Sequence, residues 1–141
     1  TSAVTRGAMA AFLVRSLELP GTKVDYFKDD GDSMFEREIN ILAAAGIVKG
    51  CNPPGNDRFC PDSPTTRGAM AAMLSRALDL DPASGSRFVD DNGHVFEGDI
   101  EAIAAAGITK GCNPPSNTKF CPNRVVTREQ LASLLVRAFD Y

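Results

Sequence analysis

The chain has 141 residues, of which 43% are hydrophobic and 23% charged, with a formal net charge of −3. That balance describes a folded domain with a core of its own and argues against a disordered segment. Acids and bases are interspersed without a basic stripe, which argues against nucleic acid as a partner, and no run reaches the ~18 apolar residues of a membrane span.

The first expected element is a helix in "VTRGAMAAFLVRSL", with Thr5 as N-cap and Met9, Phe12 and Leu13 as its inward stripe. After the turn-rich "LELPGTKVDYF", a second helix is expected near 34–45, where Phe35, Ile39, Leu42, Ala43 and Gly46 share one face. Gly46 suits the left-handed position that ends a helix. The loop "GCNPPGNDRFCP" leads to a third helix, capped by Thr66 and striped by Met70, Met73 and Leu74. The linker "LDLDPASGSRF" opens a fourth near 95–106, with Phe96, Ile100, Ile103, Ala104 and Gly107 on one face. The loop "GCNPPSNTKFCP" opens the fifth, "VTREQLASLLVRAF", with Leu131, Leu134 and Leu135 inward. There Thr127 and Gln130 can form a capping box, which Ala8 and Ala69 cannot.

A shift of 61 residues maps Phe27 onto Phe88, Gly46 onto Gly107, Cys51 onto Cys112 and Arg67 onto Arg128. The chain therefore divides into a partial unit, residues 1–20, and two full units, 21–81 and 82–141. The expected class is all-α, in tandem helix-loop-helix repeats, and the leading unit lacks its first helix.

Cys51 and Cys60, and Cys112 and Cys121, each enclose eight residues, too wide for the CxxC knuckles of zinc sites. One disulfide within each loop is the preferred reading, and it places the chain in an oxidising, extracytoplasmic setting; four reduced core cysteines are the alternative. Asn52, Asn56, Asn113 and Asn117 offer amides to a sugar, but Pro and Asn are also simple turn formers. The acidic stretches around Asp32 and Asn92 lack the ligand alternation of an EF-hand, so no metal is expected; Asp32 or Ser33, and Asn92, are read as helix caps. His94 stands where the earlier copy has Ser33 and is read as a surface or cap residue. No nucleophile–base set is present, so neither enzyme activity nor a cofactor is expected.

The order F-x-D, F, I-x-x-L/I-A-A-A-G-I-x-x-G, F-x-P and V/T-T-R, seen in "FVDDNGHVFEGDIEAIAAAGITKG" and "KFCPNRVVTREQLASLLVRAF", resembles the S-layer homology repeat over nearly the whole chain. The resemblance implies a pseudo-threefold helical bundle at a bacterial cell surface. It further implies non-covalent binding of pyruvate-modified secondary cell-wall polysaccharide in grooves that hold the arginine of the family's T-R-A-E motif. That arginine falls on Arg6, Arg67 and Arg128, whereas the motif's glutamate is Ala8, Ala69 and Gln130. The family's first-helix tryptophan is Phe35 and Phe96, and its short loop is replaced by the cysteine-closed one.

Chemically, an arginine fork at a helix N-terminus suits a carboxylate-bearing sugar. The competing role for Arg6, Arg67 and Arg128 is a salt bridge to an aspartate of a neighbouring unit. At the level of function, the alternative is a secreted structural protein that self-assembles into a filament or surface layer, with the unpaired first helix seeking a second copy.

Overall fold

The computed structural model describes residues 3–51, 55–83 and 87–139. Its helices are α1 (Arg6–Leu17), α2 (Glu36–Ala44), α3 (Arg67–Ala77), α4 (Glu97–Ala105) and α5 (Arg128–Phe139). Among the described residues there is no strand, only isolated bridges such as Thr5 to Pro64 and Thr66 to Val125. The class is all-α.

The chain forms two compact units, one from Val4–Pro64 and one from Thr65 onward that also takes in Ala3. In the first, α1 packs on α2; in the second, α3 packs on α4 and α5 completes the unit. Each unit thus joins the second helix of one sequence repeat to the first helix and loop of the next. The physical reason is that Met9 and Leu13, and likewise Met70 and Leu74, find their cover downstream. All four are fully buried, as are Ile39, Leu42, Ile100 and Ile103. Phe12 stays half-buried.

The helix ends follow local chemistry. The Thr5 and Thr66 hydroxyls accept the amides of Ala8 and Ala69, each at 3.1 Å. Thr127 and Gln130 exchange two hydrogen bonds, at 3.1 and 3.2 Å, in the expected capping box. At the other end of α2, Gly46 (φ 80°) donates to Ala43 O and Ile47 to Leu42 O. Gly107 (φ 79°) and Ile108 repeat this pattern on Ala104 and Ile103, the paired bonds of a Schellman motif. The starts of α2 and α4 differ from expectation. Their N-cap positions fall on Phe35 and Phe96, which have no side-chain cap. The turn before each is closed instead by Ser33 Oγ and His94 Nδ1, which accept the amides of Phe35 and Phe96 at 3.1 Å. Of the residues read as caps, Ser33 and His94 thus close these turns, in place of Asp32 and Asn92. His94 Nε2 also lies 3.1 Å from Asn123 Oδ1.

Both disulfides are present, Cys51–Cys60 and Cys112–Cys121, with Cα–Cα separations of 6.1 and 6.2 Å. Closing ten residues contributes about 2.7 kcal/mol on the chain-entropy account. Within each loop an asparagine (Asn56, Asn117) and the second cysteine adopt left-handed backbone.

Candidate functional site: a cationic groove beside α5

Each cysteine loop brings one aromatic residue into the core. Phe59 and Phe120 are fully buried and meet Phe27 and Phe88 at centroid distances of 5.3 and 5.4 Å. The backbone of each loop phenylalanine is gripped from two sides by opposite charges. Asp29 accepts the amides of Phe59 and Cys60 at 2.7 and 2.8 Å, while Arg6 Nε donates to Phe59 O at 2.8 Å. The second unit repeats this. Asp90 accepts from Phe120 and Cys121, both at 2.8 Å, and Arg67 Nε donates to Phe120 O at 2.7 Å. Both guanidiniums also lie 4.6 Å from the centroid of the ring they serve. Such charge-assisted bonds, made where water is scarce, are the stronger kind.

Asp29 and Asp90 were not singled out by the sequence reading. Their signal was the aspartate of each F-x-D element, which recurs at the 61-residue shift. The expected salt bridge between these arginines and an aspartate takes another form: the two charges share one peptide segment without touching. Burial lowers the pKa of Arg6, partly offset by Asp29. It also lowers that of Arg67, reinforced by Arg124 and opposed by Asp90. Burial does not neutralise an arginine, so both remain cations.

The close approach of helix and loop needs a residue without a side chain. The Gly7 amide donates to Pro61 O and the Gly68 amide to Pro122 O. A Cβ on Gly68 would lie 3.1 Å from Pro122 O and 3.1 Å from His94 Cε1; one on Gly7 would lie 2.8 Å from Phe35 Cδ2. In α5 the same register holds Glu129.

The second unit carries a groove of about 310 Å³, lined by Arg67, Lys110 and Arg137 with Thr109, Asn117 and Gln130, and by Pro114 and Leu134. Loop and helix deliver these groups from three places. Arg67 opens α3, Lys110 follows the end of α4, and Arg137 lies in the last turn of α5, with Nη1 on Ile108 O at 3.3 Å. Three cations line the groove and no carboxylate does. Arg67, although among the lining residues, is 4% exposed and uses Nε on Phe120 O. Asn113 holds the loop's shape through its contacts to Thr118 Oγ1 and the Lys119 amide, both at 2.9 Å. Pro and leucine surfaces beside donors and cations suit a sugar ring that bears an anionic group.

The structure therefore brings Arg67 into a groove, while Arg6 and Arg128 are not among its lining residues. Arg6 serves Phe59, and Arg128 is exposed at the first turn of α5. Of the four asparagines, Asn117 lines the groove, Asn113 shapes the loop and Asn56 takes left-handed backbone. Asn52 lies outside the described residues. Lys110 and Arg137 were missed by the sequence reading. Their available signal was recurrence at the 61-residue shift, where Lys49 matches Lys110 and Arg76 matches Arg137.

The S-layer homology domain model matches residues 26–71 and 87–132, which span both cysteine loops and the starts of α3 and α5. The chain is 30% identical to the S-layer protein sap of Bacillus anthracis, over 99% of its own length and 16% of that protein. It is 36% identical to an endoglucanase of Bacillus sp. (strain KSM-635), over 59% of its own length and 8% of the relative. It is also 30% identical to the exoglucanase XynX of Acetivibrio thermocellus, over 81% of the chain and 10% of that enzyme. The chain thus spans about a sixth or less of these relatives. The matched segment is a small part of surface proteins and glucanases alike. With its two matched repeats, the chain belongs to the S-layer homology family and is a module of the bacterial cell surface.

Proposed function

We propose that this module anchors its polypeptide non-covalently to the cell wall by holding an acidic secondary wall polysaccharide in the groove beside α5. The observation that carries the reading is the lining itself: Arg67, Lys110 and Arg137 with no facing carboxylate. Three cations in a lining that holds no carboxylate favour an anion, and an arginine fork favours a planar carboxylate, the group a pyruvyl ketal presents. Asn117, Gln130 and Ser133 supply neutral hydrogen bonds to ring hydroxyls. In this reading Arg67 and Arg137 orient the carboxylate and Lys110 adds a mobile charge. Arg6 holds its loop, and Arg128 widens the positive field at the head of α5. The module itself is non-catalytic; it holds the glycan and transforms nothing.

Co-sedimentation with purified walls, before and after the secondary polysaccharide is chemically stripped, tests the proposal. Binding should accompany the intact walls and vanish from the stripped ones. Equal sedimentation with both preparations would rule the polysaccharide out as the ligand.

A further inference from the structure

Within Val4–Pro64, three acids of one short stretch, Asp25, Asp30 and Glu36, converge. Carboxylate oxygens of Asp25, Asp30 and Glu36 all lie within 4.8 Å of one another. Asp30 is completely buried, and no hydrogen-bond donor of the described residues reaches either of its oxygens. An ionised carboxylate in that position, facing two more, costs several kcal/mol unless a cation compensates it. Two donors of this stretch are engaged elsewhere. Asn40 accepts the Tyr26 amide and donates to Glu36 O, and Lys28 pairs with Asp57 at 3.0 Å.

The separation of the oxygens is informative. Ligands held at about 2.4 Å from a calcium ion lie at most about 4.8 Å apart across it. Hard oxygen donors alone, with Asp25 exposed and open to water, match calcium better than magnesium, which demands a tighter octahedron.

The second unit supplies an internal control. Asp91 is equally buried with two unpartnered oxygens, but Glu101 stands at the register of Asn40 and Ser86 at that of Asp25. Glu101 accepts the amides of Arg87 and Phe88, at 3.1 and 3.3 Å. Asp91 can satisfy itself with a proton directed at that neighbour.

We propose that Asp25, Asp30 and Glu36 form a calcium site in the first unit, with no counterpart in the second. The site ties the linker before α2 to the helix's first turn. Its ends are Asp25, two residues before the core Phe27, and Glu36, the first residue of α2. The sequence reading expected no metal in this acidic stretch, because its spacing lacks the alternation of an EF-hand. Here the chain folds back on itself to gather them.

The test is a calorimetric titration of calcium chloride into the chelator-treated full chain, paired with thermal melts. One calcium per chain is expected, with a dissociation constant in the range of about 10⁻⁴–10⁻³ M typical of extracellular sites. Asp25→Ala, at an exposed position, should weaken binding at least tenfold. Asp30→Asn should abolish it, and Asp91→Asn should leave it unchanged. Absence of both heat and melting shift at millimolar calcium would overturn the proposal. So would binding that survives both Asp25→Ala and Asp30→Asn. The glycan-binding reading does not depend on the result.

Discussion

Helices α3 and α5 begin with the same Thr-Arg pair, lie in the same compact unit, and end in different circumstances. Arg67 is 4% exposed, hydrogen-bonded to Phe120 O and stacked against that ring; Arg128, 61 residues later, stands in solvent. Gly68 lets the loop backbone reach its amide, while Glu129 fills the same register in α5. The difference teaches that a repeated motif specifies a helix start but not the surroundings of its arginine. Those surroundings come from a loop 53 residues downstream of Arg67, and from the absence of a side chain next to it.

Exchanging the neighbours breaks the comparison most strongly. Gly68→Glu should destabilise the chain by about 2 kcal/mol, because a Cβ there would lie 3.1 Å from both Pro122 O and His94 Cε1, so the neighbours must shift to admit it. The reciprocal Glu129→Gly should cost no more than about 1 kcal/mol, the helix-propensity difference. Urea denaturation of the two variants decides this, and equal losses would contradict the account. The arginines come next. Arg67→Ala leaves a buried carbonyl without its charged donor and should cost about 2 kcal/mol, whereas Arg128→Ala should fall within about 0.5 kcal/mol of the parent.

The smallest effect sharpens the comparison from the loop's other side, where Asp90 grips the loop and Asp91 turns inward. Burial, and then the adjacent Glu101, raise the pKa of Asp91 to about 7. The folded state therefore holds a proton that the unfolded chain releases near its ordinary value. Stability gained from Asp91 is full below about pH 4, falls as pH rises toward 7, and is level beyond. Melts from pH 4 to 8 should show the parent losing a few degrees relative to Asp91→Asn, and parallel curves would exclude the effect.

Much of the fold was legible because its signals are local. Thr caps, the Thr127–Gln130 box, Gly46 and Gly107, the apolar stripes and the paired cysteines each act within a few residues. The 61-residue shift then made every reading twice. What stayed hidden depends on loop placement. Asp29 reaches amides 30 residues away, and Lys110 joins Arg67 and Arg137 only once α4, its loop and α5 are in place. The phase of packing was hidden for the same reason, since apolar stripes do not state which neighbour will cover them. Arg67 was legible as a candidate through its motif, but its division of labour between Phe120 and the groove was not.

The central claim is that the groove's cations hold an acidic wall glycan. Its most direct test is a titration of isolated secondary wall polysaccharide against the parent chain and the Lys110→Ala, Arg137→Ala and double variants, each confirmed folded by its melt. Each single change should weaken binding by about tenfold, the worth of one charge-assisted contact, and the double variant should lose measurable affinity. Undiminished affinity in the folded double variant would place the glycan elsewhere and contradict the account.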